Sequence, residues 1–460
     1  MAINYRIEQD SMGQVRVPSQ AFYGAQTQRA LNNFTISNEP MPEPFIRAVL
    51  TIKIAAAITN GRLKLLDSKK AEAIVDSGSW LLDNGLDNHF PVPVLQTGSG
   101  TSTNMNVNEV LSFLAAKRGV TVSANDDVNM GQSSNDVIPS ALNIAAAVMI
   151  KNRTIGSLQS LALIIREKAR KYQSVIKTGR THLMDALPIR LSHELDSWAA
   201  MIDDCIARLE ETISRLVQLP LGGTAVGSGV NCHPDFSERA LAELSRIHGL
   251  QFRQMASKFK GISSIDTPLE ASGALKTAAC CLMKIANDLR WMNSGPGAGL
   301  HEITLPPLQP GSSIMPDKIN PIIPEAVCMA AAQVIGNDTT ITVAAQSGNF
   351  QLNTMLPITA ARLIESCELI GGAAENLGNK AIKDMQVHRQ AMESPLHKNP
   401  VLVTALTTHI GYLQAAAIAK KARQEGKTIL AAAAEETSIA YERLVKLLDP
   451  EHVADGNAAS

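Results

Sequence analysis

From Val137 to Ile150 the chain carries no charged side chain, and the helical spacing then continues through Leu158, Leu161 and Ile165 to a basic end near Lys171. A helix that is apolar nearly all round has to be covered on every side. At about 1.5 Å per residue, a stretch of about 35 to 40 residues runs roughly 50 to 60 Å, so other long helices must lie beside it. Such helices are visible. In a segment beginning at Ala274, Leu275, Ala279, Leu282, Ala286 and Leu289 recur at spacings of four and three, the seam of a bundle helix. Pro188 opens another helical run, through Leu191, Leu195, Trp198, Met201 and Ile202, which continues until Leu219 and Pro220 stop it. Strand alternation is scarce, and with aromatic content at 4% the core must be filled by Ala, Leu and Ile. Small side chains let helices approach closely, so the predicted fold class is all-α.

A chain of 460 residues exceeds what one hydrophobic core usually serves. Three regions are expected: residues 1–132, mostly helical but richer in Pro and Asn; residues 133–390, the bundle of long helices; and residues 391–460, a small helical region. In the last of these one helix should end at Gly426, with Lys420, Lys421 and Arg423 near its C-terminus, and the final ADGNAAS should fray. Lys plus Arg total 42 against 43 acidic residues, which gives no electrostatic footprint for nucleic acid or an anionic membrane. Between Ala326 and Ala361 the only charge is Asp338, but Gln333, Asn337, Gln346, Asn349, Gln351 and Asn353 would leave amides unsatisfied in lipid. This stretch is expected to be a helix buried on all sides by protein. The six cysteines form no CxxC pair and read as buried thiols of a reducing compartment. The N-terminal residues show neither an apolar signal core nor a basic transit peptide, so the expected location is cytoplasmic.

Five polar clusters interrupt the helices: TGSGTSTNMNVNE from Thr97, NDDVNMGQSSND from Asn125, TGRTHLMDALP from Thr178, GGTAVGSGVN from Gly222 and GSSIMPDKINPIIPE from Gly311. Ser, Thr and Asn cap helices for local reasons, so one such cluster would mean little. Together they supply hydroxyls, amides and a few lysines at helix N-termini, which suits recognition of carboxylates. The ten histidines show no HxH or HExxH spacing, so no metal is expected, and no Gly-rich sequence opens a helix after a strand to cradle a nucleotide. The last cluster is stiffened by Pro310, Pro316, Pro321 and Pro324 around Ser312, Ser313 and Lys318. A buried lysine between two prolines would need an anionic partner, and a substrate is a natural one.

GSSIMPDKINP resembles the signature loop of the fumarase/aspartase superfamily, whose usual form is GSSxMPxKxNP. The resemblance runs through essentially the whole chain, including RIEQDSMG, YGAQTQRALNNF, TGSGTSTNMNVNEV, QSSND, GRTHLMDA, GGTAVGSGVN and LVTALTTHIGY, and is closest to class II fumarate hydratases. It implies a three-domain all-α protomer, a homotetramer with a twenty-helix core and active sites shared between subunits, and no metal or organic cofactor. The implied reaction is reversible anti addition of water to fumarate, giving L-malate through an aci-carboxylate carbanion, a step of the tricarboxylic acid cycle. Carried over by position, Ser312 would be the catalytic base, Lys318 its electrostatic support, and His182, paired with Glu325, the group that handles the leaving water. Ser99, Gly100, Thr101, Ser133, Ser134, Asn135, Thr181, Ser313, Lys318 and Asn320 would bind the dicarboxylate. Ser123, Ala124, Asn125 and Asp126 mark a possible second dicarboxylate site, with Ser123 where some fumarases have histidine. Asp317 stands where fumarases usually carry glycine, and Gly297 where many relatives have arginine. The signature loop is shared with aspartate ammonia-lyases, whose sequences PIIPE also resembles, so that activity is the alternative. From a different class, a non-catalytic structural protein on this fold would not require Ser312, Lys318, Asn320, His182 and Glu325.

Overall fold

The structure, a computed structural model, describes residues 4–86 and 89–456. Its chain groups into two compact units. One comprises Met1–Gly156, Cys205–Ala279 and Ala331–Gly371, and the other Ser157–Asp204, Cys280–Ala330 and Gly372–Ser460. This grouping differs in kind from the contiguous regions 1–132, 133–390 and 391–460, because it follows packing and not chain order.

The first unit begins with a hairpin, β1 (Tyr5–Asp10) and β2 (Gly13–Pro18), followed by α1 (Ala25–Asn33), α2 (Glu43–Arg62), α3 (Ser68–Asn84) and α4 (Thr101–Lys117). Pro42 fixes the entry to α2, whose Phe45, Val49, Leu50, Ile52 and Ala56 are fully buried or nearly so. A π-helical turn at Ala124–Val128 then leads to α5 (Ser134–Met149). Backbone dihedrals stay helical through the π-helical segment Ile150–Ile155 into α6 (Gly156–Lys171), which is the uninterrupted helix read from the sequence.

Pro188 does not open a helix. It lies in a hairpin, β3 (Ile176–Thr181) paired with β4 (Met184–Arg190), and α7 (Leu191–Leu216) starts only afterwards. The ring of Pro188 removes one ladder donor, and the register shifts between Thr178 and Arg180. Further helices are α8 (Phe236–His248), α9 (Lys258–Ser263), α10 (Asp266–Met292), α11 (Ile322–Ala345) and α12 (Leu356–Asn376). The seam of α10 is confirmed, with Leu275, Ala279, Leu282, Ala286 and Leu289 all buried, although the helix begins eight residues before Ala274.

The stretch from Ala326 to Ala361 is not one helix buried on all sides. It breaks after Ala345 into a small hairpin, Gly348–Asn349 with Leu352–Asn353, before α12. In the single protomer α11 leaves Met329 69% and Val343 55% exposed. Among the described residues no helix is long and apolar enough to cross a membrane. The cysteine expectation holds for Cys205 and Cys367, which are buried, but Cys280 is exposed and Cys232, Cys281 and Cys328 are half-buried.

At the C-terminal end Leu402, Leu406, Ile418, Ala432, Leu444 and Leu447 form a separate small core. The helix Tyr412–Glu425 ends, as expected, at Gly426 in the left-handed conformation. Of the tail expected to fray, Asp455 is instead held by Arg190 at 2.5 Å, and residues 457–460 lie outside the described residues.

Candidate active site

The signature loop closes on itself. Gly311 N–H donates to the Lys318 carbonyl at 2.9 Å, and the Asn320 side-chain amide donates to the Gly311 carbonyl at 2.6 Å. A Cβ on residue 311 would lie 2.2 Å from the Lys318 carbonyl oxygen, so only glycine lets the two arms meet. Inside this closure the Ser312 hydroxyl accepts from the N–H groups of Ile314 at 3.2 Å and Met315 at 2.9 Å. Two fixed donors on one oxygen favour its anionic form, because they need no reorganisation when charge develops.

Lys318 is exposed, so the expectation of a buried lysine is corrected. Its ammonium has no partner among the described residues, and the reason is the same closure, which turns the tip of the loop outward. Lys318 lines a cavity of about 880 Å³ together with Asn320, Glu325, Arg290, Trp291 and His301. A second cavity, of about 410 Å³, opens against Ser312 and Met315. Asp317 lies in the left-handed region at φ +66° and borders both. Ser313 is exposed at the loop surface.

His182 and Thr181 sit at the tip of the β3–β4 hairpin. Thr181 pairs with Met184, so His182 and Leu183 alone make the turn, at φ +56° and +60°. Positive φ at both central residues gives the twist a two-residue hairpin requires. The base of the hairpin is anchored by charge. Lys177, only 2% exposed in its side chain, pairs with Glu194 at 2.7 Å and Glu302 at 2.8 Å, and Arg180 reaches the other oxygen of Glu302 at 2.8 Å. His182 and Glu325 form no bond with each other in the protomer, and both are exposed.

The remaining candidates belong to the first unit, at two helix N-termini. Gly100, at φ +72°, precedes α4, and its absent side chain leaves room for Ile138 of α5. The Ser99 and Thr101 hydroxyls bond each other at 2.8 Å, and Gln96 caps the Thr103 N–H at 3.0 Å. The N–H groups of Thr101 and Ser102 have no partner among the described residues. Ser133 caps α5 by accepting from Asn135 N–H at 3.2 Å, while Asp136 accepts from Ser133 N–H at 2.8 Å. Ser134 N–H is likewise without a partner among the described residues, and the Asn135 amide donates to the Ala225 carbonyl at 2.8 Å. Unpaired N–H groups at helix N-termini attract anions.

Sequence reasoning missed what lies beneath. Asp136 accepts from Gly222 N–H at 2.8 Å and Thr224 N–H at 3.0 Å, and its burial raises the carboxyl above its ordinary range against those bonds and the Lys53 charge. A buried carboxyl three residues after Ser133 is the sequence signal of a capping box and could have been found. At the possible second site, Ser123 accepts from Asp126 N–H at 3.1 Å, and Lys70 is already paired with Asp127 at 2.8 Å. The segment Ser123, Ala124, Asn125, Asp126 therefore offers an anion little besides Asn125. Also unforeseen, His301 stacks on His388 with ring centroids 4.2 Å apart, and Thr304 bonds the latter at 2.7 Å. Burial, then the neighbouring His301, lowers the pKa of His388. Among the described residues no three His, Cys, Asp or Glu side chains gather where they could hold a metal ion.

Comparison with known proteins bears on the whole chain. The sequence pattern of a lyase family matches residues 13–336, and that of a fumarase C C-terminus matches residues 402–454. A Pseudomonas aeruginosa protein named fumarate hydratase class II 2 is 52% identical over 452 residues, 98% of this chain and 99% of that one. A Bacillus subtilis fumarate hydratase class II is 41% identical over 462 residues, covering 99% of this chain and 100% of that one. The crystal structure of a class II fumarase from Schistosoma mansoni superposes with a TM-score of 0.96 at 35% identity, covering 98% of this chain and 99% of that one. A fumarate lyase:delta crystallin from Brucella melitensis, bound to cobalt, gives 0.93 at 39% identity over 98% of this chain and 100% of that chain.

Proposed function

Because the chain belongs to the lyase family, and within it to the class II fumarate hydratases, we infer that it is a hydro-lyase interconverting fumarate and L-malate. Its substrate is a dicarboxylate, and the addition of water is reversible and anti, through a carbanion. The roles of individual residues are our proposal. Ser312, as its alkoxide, takes the C3 proton of malate, and the electron pair left behind spreads into the adjacent carboxylate as a dianionic aci-carboxylate. The C2–O bond then breaks, and His182, tuned by Glu325, gives a proton so that the hydroxyl leaves as water. Lys318 and the loop N–H groups stabilise the serine oxygen and the aci-carboxylate. Ser99, Gly100, Thr101, Ser133, Ser134, Asn135, Thr181, Ser313 and Asn320 hold the carboxylates. Ser123, Ala124, Asn125 and Asp126 remain a subsidiary proposal, for weak second-site binding. No metal or organic cofactor takes part in this scheme, and the cytoplasm is its proposed location.

The observation that carries the assignment is the Ser312 hydroxyl, held by two backbone donors at 2.9 and 3.2 Å in a loop whose lysine has no partner among the described residues. We further propose a homotetramer with a twenty-helix core and active sites shared between subunits. Two features support it. One is the length of helix between the Ser133 and Thr181 clusters, against a four-carbon substrate under about 10 Å long. The other is the exposed, uncharged stripe of Ala326, Met329, Ala332, Gly336 and Val343 along α11, which is suited to cover by neighbouring helices. The contiguous regions 1–132, 133–390 and 391–460 stand as the proposed domains of each protomer.

One experiment tests roles and sharing together. Ser312→Ala and His182→Asn should each be nearly inactive, yet co-refolding them should restore activity at roughly a quarter of the sites if the two residues come from different subunits. Substantial activity in Ser312→Ala alone removes the serine as base. No recovery in hybrids shown by mass spectrometry to contain both chains removes the sharing.

A further inference from the structure

Lys53, in the middle of α2, is 0% exposed, yet it makes no ion-pair contact among the described residues. Its ammonium donates instead to two amide oxygens, Asn129 Oδ1 and Gln132 Oε1, both at 2.9 Å. With their oxygens facing the lysine, both amides must point their NH2 groups at the backbone of the same loop. Asn129 Nδ2 donates to the Gln132 carbonyl at 3.2 Å, and Gln132 Nε2 to the carbonyls of Val128 at 3.1 Å and Met130 at 3.2 Å. Asn104 and Asn108 of α4 add their own amides to Asn129 Oδ1, at 3.1 and 3.2 Å. The lysine, joined at Asn129 by Asn104 and Asn108, thus sets which way two amides face, and those amides hold the loop that ends at Ser133.

We propose that Lys53 is a positioning residue for substrate binding: it fixes loop 129–133, which presents Ser133, Ser134 and Asn135, and lends positive charge to the anion cradle at the start of α5. The proposal rests on the reading that those three residues bind a substrate carboxylate. An apolar side chain here would take a donor from both amide oxygens, and a neutral amide could donate to both but would bring no charge. The lysine ammonium supplies both the donors and a charge.

That charge is conditional. Burial lowers the pKa of Lys53 to about 7, opposed by Asp136 on α5, so its protonation changes within the working range of an enzyme. Other titratable groups near it do not follow the same course. Cys232, beside Asp136, is pushed up to about 11 by burial. His248 of α8, which bonds the Thr51 hydroxyl of α2 at 3.0 Å, has its pKa lowered by burial. As pH rises, Lys53 passes from ammonium to amine. The amine still has two N–H groups for the two amide oxygens, so the loop keeps its shape while the field at the cradle falls.

The test is the pH dependence of KM for L-malate, and of inhibition by succinate as an unreactive dicarboxylate, in the wild type, Lys53→Arg and Lys53→Met. In the wild type both constants should rise roughly tenfold between about pH 6 and 9, the effect expected of one charge acting through protein. Lys53→Arg, charged throughout, should flatten that rise, and Lys53→Met should raise KM at every pH while changing kcat far less. Repeating the succinate titration in His182→Asn removes the histidine's contribution, and the rise should persist. Succinate binding that is flat with pH in the wild type, or unchanged by Lys53→Arg, overturns the proposal even if Lys53→Met does not fold. Ser133→Ala and Asn135→Ala separate the two readings: if they leave KM unchanged the carboxylate site itself is misplaced, whereas if they raise it and the lysine variants do not, only Lys53 is.

Discussion

Replacing Gly311 by alanine adds one carbon atom, and the structure fixes where it must go. The new Cβ would lie 2.2 Å from the Lys318 carbonyl oxygen and 2.8 Å from the Asn320 nitrogen. A tolerable carbon to oxygen contact is about 3.3 Å, so the two arms of the loop must part by about 1 Å. The bond from Gly311 N–H to that same oxygen, 2.9 Å long, would then be stretched beyond useful length. Losing it, with strain on the Asn320 bond, costs about 1 to 3 kcal/mol, borne by an exposed loop. Such a loop can open locally without unfolding a core, so the melting temperature should fall by only a few degrees at most. Catalysis should suffer more, because displacing reacting groups by about 1 Å costs roughly a hundredfold in rate, close to 2.7 kcal/mol. The assay is the ultraviolet absorbance of fumarate formed from L-malate, with thermal unfolding followed in parallel. A well-folded Gly311→Ala protein within about threefold of wild-type kcat/KM would show that closure of this loop does not set the geometry of Ser312 and Lys318.

Asp317→Gly should be gentler and opposite in sign. Relief of the left-handed φ of +66° adds up to about 1 kcal/mol of stability, and loss of a carboxylate beside Lys318 lowers KM by a similar free energy. Unchanged stability and a raised KM would mean that the aspartate serves the loop. Lys177→Met should lower the free energy of unfolding by about 3 kcal/mol or less, seen as a lower denaturant midpoint, since Glu302 keeps Arg180 while Glu194 and Glu302 lose a buried partner. A midpoint equal to that of the wild type would deny the pair any part in holding the hairpin. Hydration of fumarate should survive exhaustive chelation, and activity lost in chelator and restored by a divalent ion would contradict the metal-free scheme.

Absence of charge over fourteen residues announced the long helix from Val137 onward, because a bare apolar surface has few ways to be covered. The polar clusters were legible for a related reason: donors left unpaired at helix ends keep Ser, Thr and Asn there whatever the rest of the fold does. The β3–β4 hairpin was not legible. Its strands carry Lys177, Arg180 and Asp185 where alternation would call for apolar residues, and Gly179 lies at the register shift. Its stability comes from Glu302, more than a hundred residues away, and such a pairing leaves no local trace. Lys53 was hidden for a similar reason. Amid Thr51, Ile52, Ile54 and Ala55 it looks like one surface residue of an amphipathic helix, and only the fold shows that no surface is there. Exposure of Lys318 was misjudged because prolines foretell stiffness, not depth.

The turn at His182 and Leu183 has a bearing on how such a protein can be improved. Two-residue turns with both residues left-handed favour Asn-Gly by a wide margin, and here a histidine and a leucine occupy them at φ +56° and +60°. A designer guided by turn statistics would write Asn-Gly at 182 and 183, gain a sturdier hairpin, and delete the side chain to which we assign the proton transfer. Inserting a residue would be no kinder, since a two-residue turn has a single length and a third residue would swing the tip out of register. The tip is therefore open to neither the usual stabilising substitutions nor drift in length, and attempts to make this chain hardier are better directed at the C-terminal helices.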